Sequence, residues 1–74
     1  MKNVGDIFDE LGGTGAVARI IEVKHSAASE MKRRNSIPVR YWPLLVTGAQ
    51  ARGVELDNDV LVKVHASTVP ERAA

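Results

Sequence analysis

The sequence predicts an all-α fold of four to five short helices. Three observations carry that prediction. Apolar residues recur at helical spacing in two stretches: Val4, Ile7, Phe8 and Leu11 fall at i, i+3, i+4 and i+7, as do Trp42, Leu45, Val46 and Ala49. Breakers separate the periodic stretches at Gly12-Gly13, at Asn35-Ser36 with Pro38 just beyond, and at Gly53. The chain has 74 residues, is 45% apolar and 26% charged, and carries a net charge of +1, which describes one small globular domain and not a disordered segment.

The first helix is expected over Val4–Leu11. Asn3 is placed to cap it, Asp6 puts a carboxylate in the first turn, and Gly12-Gly13 ends it because glycine accepts the left-handed conformation of a helix stop. Thr14 is the expected cap of a second helix, Gly15–Glu22. Its apolar face is Ala16, Val17, Ile20 and Ile21, and Arg19 points away from that face. A third helix is expected over Ala27–Arg34, with Ala27, Ala28 and Met31 on its inner side and Ser26, Ser29, Glu30, Lys32 and Arg33 on its outer side. Pro38 biases Ile37 away from the helical region.

A fourth helix follows a turn at Val39–Tyr41. Pro43 fits at its first position, where the missing N–H costs nothing, and Gly53 fits after its last residue, Arg52. Trp42 is the expected largest contributor to the core, with an indole N–H that needs an acceptor or a route to water. The segment Glu55–Ala66 has two readings. Asp57 or Asn58 can cap a helix over Val60, Leu61 and Val64; the alternation and β-branching of residues 60–64 also fit a strand. Helix is preferred, because a lone strand has no partner within the chain; a strand paired across a dimer is the alternative. The folded domain is expected over residues 1–66, with a flexible tail over 67–74.

A chain this short has a small stability margin, and without cysteine neither a disulfide nor a thiolate metal site supports it. Oligomerisation or close helix packing is the remaining support. No apolar run approaches the ~18 residues of a membrane span, and Lys2, Asp6, Asp9 and Glu10 interrupt any N-terminal signal core. A reducing cytoplasm is the expected location. Charge is unevenly spread. Arg19, Lys24, Lys32, Arg33, Arg34 and Arg40 outnumber Glu22 and Glu30 between residues 19 and 40, a net of +4, while residues 1–11 and 53–74 each sum to −2. A basic centre between acidic ends points to an anionic partner for the middle of the chain.

The stretch Ala16–Arg34 is where the chemistry concentrates. Two short helices joined by a connection of about four residues, the second rich in small residues and then basic, have the layout of a helix-turn-helix. Ala18, Ile21, Val23 and Ala28 supply small apolar contacts through which the first helix braces the second. The second helix of such a pair lies in the DNA major groove and shows polar side chains to base edges.

Specific motifs extend this. Gly12-Gly13, Ala16-Val17-Ala18-Arg19, Val23, Ala27-Ala28-Ser29-Glu30-Met31, Arg33-Arg34 and Ile37-Pro38-Val39-Arg40-Tyr41-Trp42-Pro43-Leu44-Leu45 follow one another in order. Together they resemble the lambda-repressor/Cro superfamily of Xre-like helix-turn-helix regulators, closest to the small Cro-like and YdaS-like phage or antitoxin proteins. The resemblance covers about Leu11–Ala66 and departs from the family pattern at three positions. Glu22 stands where glycine is common in the turn. Lys24 stands where Ser or Thr usually caps the recognition helix, so that helix is expected to start near His25 with a weaker cap. Met31 replaces a common Trp.

The resemblance implies a sequence-specific regulator of transcription, a repressor that binds double-stranded DNA in the bacterial nucleoid, of phage or host origin. It places Lys24, His25, Ser26 and Ser29 as base-edge readers and Lys32, Arg33, Arg34 and Arg40 as phosphate contacts. Arg19 is either another phosphate contact or the partner of Glu22 or Asp9 in an ion pair. Glu30 either accepts from a cytosine amino group or, as the preferred reading, holds Arg33 or Arg34 in place. One recognition helix covers few base pairs, so a two-fold dimer on an inverted repeat is expected, as a homodimer or with a paralogue. Leu56, Val60, Leu61 and Val64 are the expected dimer surface, since their apolar area exceeds what so short a segment needs for one core.

Other chemistries find little support. His25 and His65 are the only imidazoles, with no further ligand at metal-binding spacing. Gly12-Gly13-Thr14-Gly15 lacks the Gly-Lys-Ser/Thr and the preceding strand of a phosphate loop. Asp57 and Asp59, two apart, diverge on a helix, and no Ser/His/Asp array is present. Neither an enzyme nor a cofactor, metal, membrane or small-molecule ligand is expected. The second functional reading is a helical antitoxin or anti-repressor that acts through protein–protein binding.

Overall fold

The computed structural model describes residues 1–68. Its elements are α1 (Val4–Glu10), α2 (Thr14–Ile21), α3 (His25–Arg34), the 3-10 segment η1 (Val39–Tyr41), α4 (Trp42–Ala51) and α5 (Asn58–Thr68). The fold is all-α: among the described residues there is no strand, and the alternating segment 60–64 lies within α5. Asp57 decides that choice locally. Its Oδ1 accepts from the Val60 N–H at 2.9 Å and its carbonyl from the Leu61 N–H at 3.1 Å, which satisfies first-turn amides of a helix. α5 runs through Thr68, past the expected boundary at residue 66; the remainder of the expected tail, 69–74, lies outside the described residues.

Short polar side chains build the start of α1. Asn3 Oδ1 accepts from the Asp6 N–H at 2.9 Å, and Asp6 Oδ2 accepts from the Lys2 N–H at 2.8 Å. Gly13, and not Thr14, is the N-cap of α2: Thr14 is the first helical residue and no side chain caps this end. Gly12 and Gly13 both adopt positive φ (104° and 101°), and the tight turn lets the Gly13 N–H reach the Phe8 carbonyl at 2.7 Å. α3 begins at His25, two residues before Ala27, with Lys24 as an extended N-cap that makes no side-chain bond. Trp42 opens α4 with Pro43 immediately after it, inside the first turn where no intrahelical N–H is needed.

The core is one cluster. Val4, Ile7, Phe8 and Leu11 of the first helix and its end meet Val17, Ala18 and Ile21 of α2, Ala28 of α3, Leu45 and Ala49 of α4, and Leu61 and Val64 of α5, with Ile37 and Leu56 from the connections. Each fully buried Ile, Leu or Phe contributes roughly 1.5–3 kcal/mol by leaving water. Phe8 is the largest fully buried side chain. Trp42 is only half-buried, because its indole lies over the α3–α4 connection and not in the centre.

The burial pattern corrects the expected dimer surface. Leu56, Leu61 and Val64 are 3%, 0% and 2% exposed, used within the chain's own core, and Val60 is half-buried against it. With only 74 residues, the inner apolar residues of α5, Leu61 and Val64, are needed to close the domain, while Val62 and Ala66 stay exposed. α2 and α4 pack closely because Gly48 has no side chain: a Cβ there would lie 2.6 Å from Ile20 Cγ2.

Candidate nucleic-acid interface

α2 and α3 are the most extensively packed helix pair, joined by three residues, Glu22, Val23 and Lys24. The turn forms because Glu22 adopts the left-handed conformation (φ 60°, ψ 49°) and the Val23 N–H then bonds the Ala18 carbonyl at 3.0 Å. Val23 is half-buried against the core. Ala28 is completely buried, so α3 approaches the core through a methyl group, and Ala27 and Met31 flank that contact. The opposite side of α3 is therefore left outward.

The residues expected to meet DNA are all exposed: Arg19, Lys24, His25, Ser26, Ser29, Lys32, Arg33, Arg34 and Arg40. They do not share one face. Ser26, Ser29 and Arg33 stand at i, i+3 and i+7, a single stripe down the outer side of α3. Lys24 and His25 lie at its amino end, and His25 Cδ2 comes within 3.9 Å of where a Gly15 Cβ would sit, so the ring leans over the first turn of α2. Lys32 leaves the helix on the side of α1, its Cε 4.0 Å from where a Gly5 Cβ would sit. Arg40 lies on η1, stacked over the Tyr41 ring at 4.8 Å. Arg19 pairs with neither Glu22 nor Asp9. It lines a shallow groove between α2 and α4, together with Arg52, whose Nη1 donates to the Gly48 carbonyl at 3.3 Å.

Glu30 is the pivot of the charged group. Its Oε2 accepts from Arg33 Nε at 3.0 Å, and its Oε1 accepts from Arg33 Nη2 at 2.7 Å and from Arg34 Nε at 3.1 Å. The bond from Arg33 is the main reason its carboxyl titrates below the usual carboxylate range, and the Arg33 guanidinium is correspondingly held above its ordinary value by Glu30. Of the two roles open to Glu30 in the sequence, the structure shows the one that organises the arginines.

Two residues outside the expected site hold this region in place. Asn35, in the left-handed conformation at φ 57°, ends α3, and its Oδ1 accepts from the Val4 N–H at 2.9 Å, tying the end of α3 to the start of α1. An asparagine directly after a basic helix end carried that signal. His65 lies on α5 facing the connection after α3; no local pattern pointed to it. Among the described residues, no three His, Cys, Asp or Glu side chains come together to hold a metal ion, and no helix is long and apolar enough to cross a membrane.

Compared with protein-family models, with curated proteins and with solved structures, the chain matches none.

Proposed function

We propose that this protein is a sequence-specific double-stranded DNA-binding regulator of transcription, a cytoplasmic repressor that acts as a dimer on an inverted repeat and needs no enzymatic activity or cofactor. One observation supports this most strongly. α3 is braced by α2 through a three-residue turn and presents Ser26, Ser29 and Arg33 as one outward polar stripe. A helix is ~10–12 Å across with its side chains, the width of the major groove. Serine hydroxyls both donate and accept, so they suit base edges, while Lys24, Lys32, Arg34 and Arg40 around the stripe suit phosphates.

Dimerisation in this reading uses what α5 and η1 leave outside. Val62 and Val39 are 52% and 67% exposed, and Val60 lies at the edge of the core. The protein–protein reading, an antitoxin or anti-repressor, draws on the same exposed valines. The two readings separate on mutation: Ser29→Ala and Arg33→Ala impair a DNA-binding regulator and spare a protein-binding module, while Val62→Asp impairs both.

The test is selection of bound duplexes from a random DNA pool with the purified protein, followed by a salt titration. Enrichment of an inverted repeat with affinity that falls as salt rises is the expected result. No retention of any duplex at low salt would reject the DNA reading.

A further inference from the structure

We propose that Arg33 reads a guanine in the major groove and that Glu30 is the residue that aims it, an assignment that rests on the DNA-binding reading above. Position suggested a phosphate contact for Arg33; the geometry points elsewhere. A guanidinium has five N–H donors in one plane. Glu30 takes two of them, Nε–H and one hydrogen of Nη2, along one edge of the plane at 3.0 and 2.7 Å. The edge that remains pairs the second Nη2 hydrogen with Nη1, two parallel donors with the spacing of guanine O6 and N7. The Arg33 side chain is 69% exposed.

The carboxylate is itself held by Arg34 Nε at 3.1 Å, so the fork is bonded at two points to a group that is anchored by a third before any ligand arrives. Less rotamer freedom is then lost on contact. The placement also fits. Ser26, Ser29 and Arg33 form one stripe whose ends are seven residues, or about 10 Å, apart along the axis, roughly three base-pair steps.

A phosphate role fits poorly. General attraction to a polyanion is served by unpaired cations. Glu30 instead puts a negative charge in the middle of the approaching face and reduces the charge of Glu30, Arg33 and Arg34 together to +1. The arrangement sacrifices non-specific affinity and gains direction.

The experiment uses the full chain and the duplex it selects, with each base pair of the half-site replaced in turn. Wild type, Arg33→Lys, Glu30→Gln and, as a control away from α3, Arg52→Lys are compared, with folding checked by circular dichroism. Wild type is expected to lose about 10- to 100-fold in affinity when one particular G·C pair is replaced. Arg33→Lys keeps the charge but not the fork, and is expected to bind that replaced site and the parent site within about 2-fold, with the penalties at other positions intact. Glu30→Gln is expected to show a reduced penalty at the same position and a steeper salt dependence, and Arg52→Lys an unchanged penalty profile. If Arg33→Lys weakens all sites equally and leaves every penalty in place, Arg33 is a phosphate contact and the inference fails while the DNA reading stands. If the protein selects no duplex, both fail.

Discussion

His65 Nε2 accepts a hydrogen bond from the Ile37 backbone N–H at 2.9 Å. That bond fixes the tautomer: an accepting Nε2 leaves the proton on Nδ1, which donates to the Leu61 carbonyl at 2.7 Å. The Ile37 carbonyl is held in turn by Trp42 Nε1 at 2.9 Å, and the Trp42 and His65 rings lie 5.1 Å apart. Two side chains from α4 and α5 thus clasp both backbone groups of one residue in the connection that leaves α3. The clasp sets where the chain goes after the candidate DNA-facing helix.

His65→Phe keeps a ring beside Trp42 and removes the acceptor. The Ile37 N–H, part-buried, is then left without its partner, which costs about 1–3 kcal/mol. Trp42→Phe removes the donor to Ile37 and is expected to cost about 1 kcal/mol from that bond. Urea unfolding of the two single variants and the double variant checks this. Because both act on Ile37, the double variant is expected to depart from additivity by about 0.5 kcal/mol or more.

Asn35 has two separable roles. Asn35→Gly keeps the left-handed conformation and loses the bond to Val4; Asn35→Ala loses both. The alanine variant is expected to be the less stable by about 1 kcal/mol, the cost of a Cβ in the left-handed region. Thermal unfolding of the pair measures that difference directly.

Much of the fold was legible in the sequence because its signals are local. The i, i+3, i+4, i+7 stripes located α1 and α4, and Asn35, Pro38 and Gly53 marked stops that the chain uses. What was not legible depends on distance. Trp42 gives an indole that is apolar and large, but only the position of Ile37 shows that it works at the edge as a donor. Leu56, Leu61 and Val64 looked surplus as a segment, and only the three-dimensional sum shows that the core needs them. In the candidate site, the exposed basic residues were found by composition and resemblance. Their grouping was not, because the split of Lys32 from Arg33 depends on how α3 is turned against α1. The strain at Glu22 was foreseeable from its place in the turn and is realised as a positive φ.

Glu22→Gly is accordingly expected to stabilise the protein. The left-handed conformation costs a non-glycine residue roughly 1–2 kcal/mol, and relief of it outweighs the added backbone freedom of glycine in the unfolded chain. A rise in the unfolding midpoint with unchanged denaturant dependence is the expected result; a fall would mean that the Glu22 side chain supplies a compensating contact.

Gly48→Ala should move stability the other way. A helix-interior Gly→Ala change ordinarily gains about 1 kcal/mol. Here the new methyl would sit 2.6 Å from Ile20 Cγ2, an atom next to the helix backbone that cannot swing far aside. Overpacking of this kind costs about 1–3 kcal/mol, so a net loss is expected on chemical unfolding. Gly48→Ala in an Ile20→Ala background removes the clash and should recover the helix-propensity gain.

Acid should release the arginines of α3. Glu30 titrates below the usual carboxylate range, chiefly because Arg33 bonds it. A lowered folded value means that its stabilising contribution is present above the ordinary range and is lost as pH falls through the folded value. The pair is exposed, so global stability should barely change. The Arg33 Nε resonance is expected to shift with the Glu30 carboxyl titration, and Glu30→Gln should abolish that shift.

The outer stripe of α3 is the surface proposed to meet DNA. The most direct measurement is an amide NMR titration of the full chain with a 20-base-pair duplex at low salt, using the selected sequence where one emerges and a mixed-sequence duplex otherwise. The predicted result is the largest perturbations at Ser26, Ser29, Glu30 and Arg33, with Lys24, His25 and Arg40 at the margins and the outer side of α5 unchanged. Perturbations centred on Val62 or on the groove beside Arg19 and Arg52, or none at all, would exclude the α3 stripe as the DNA-binding surface.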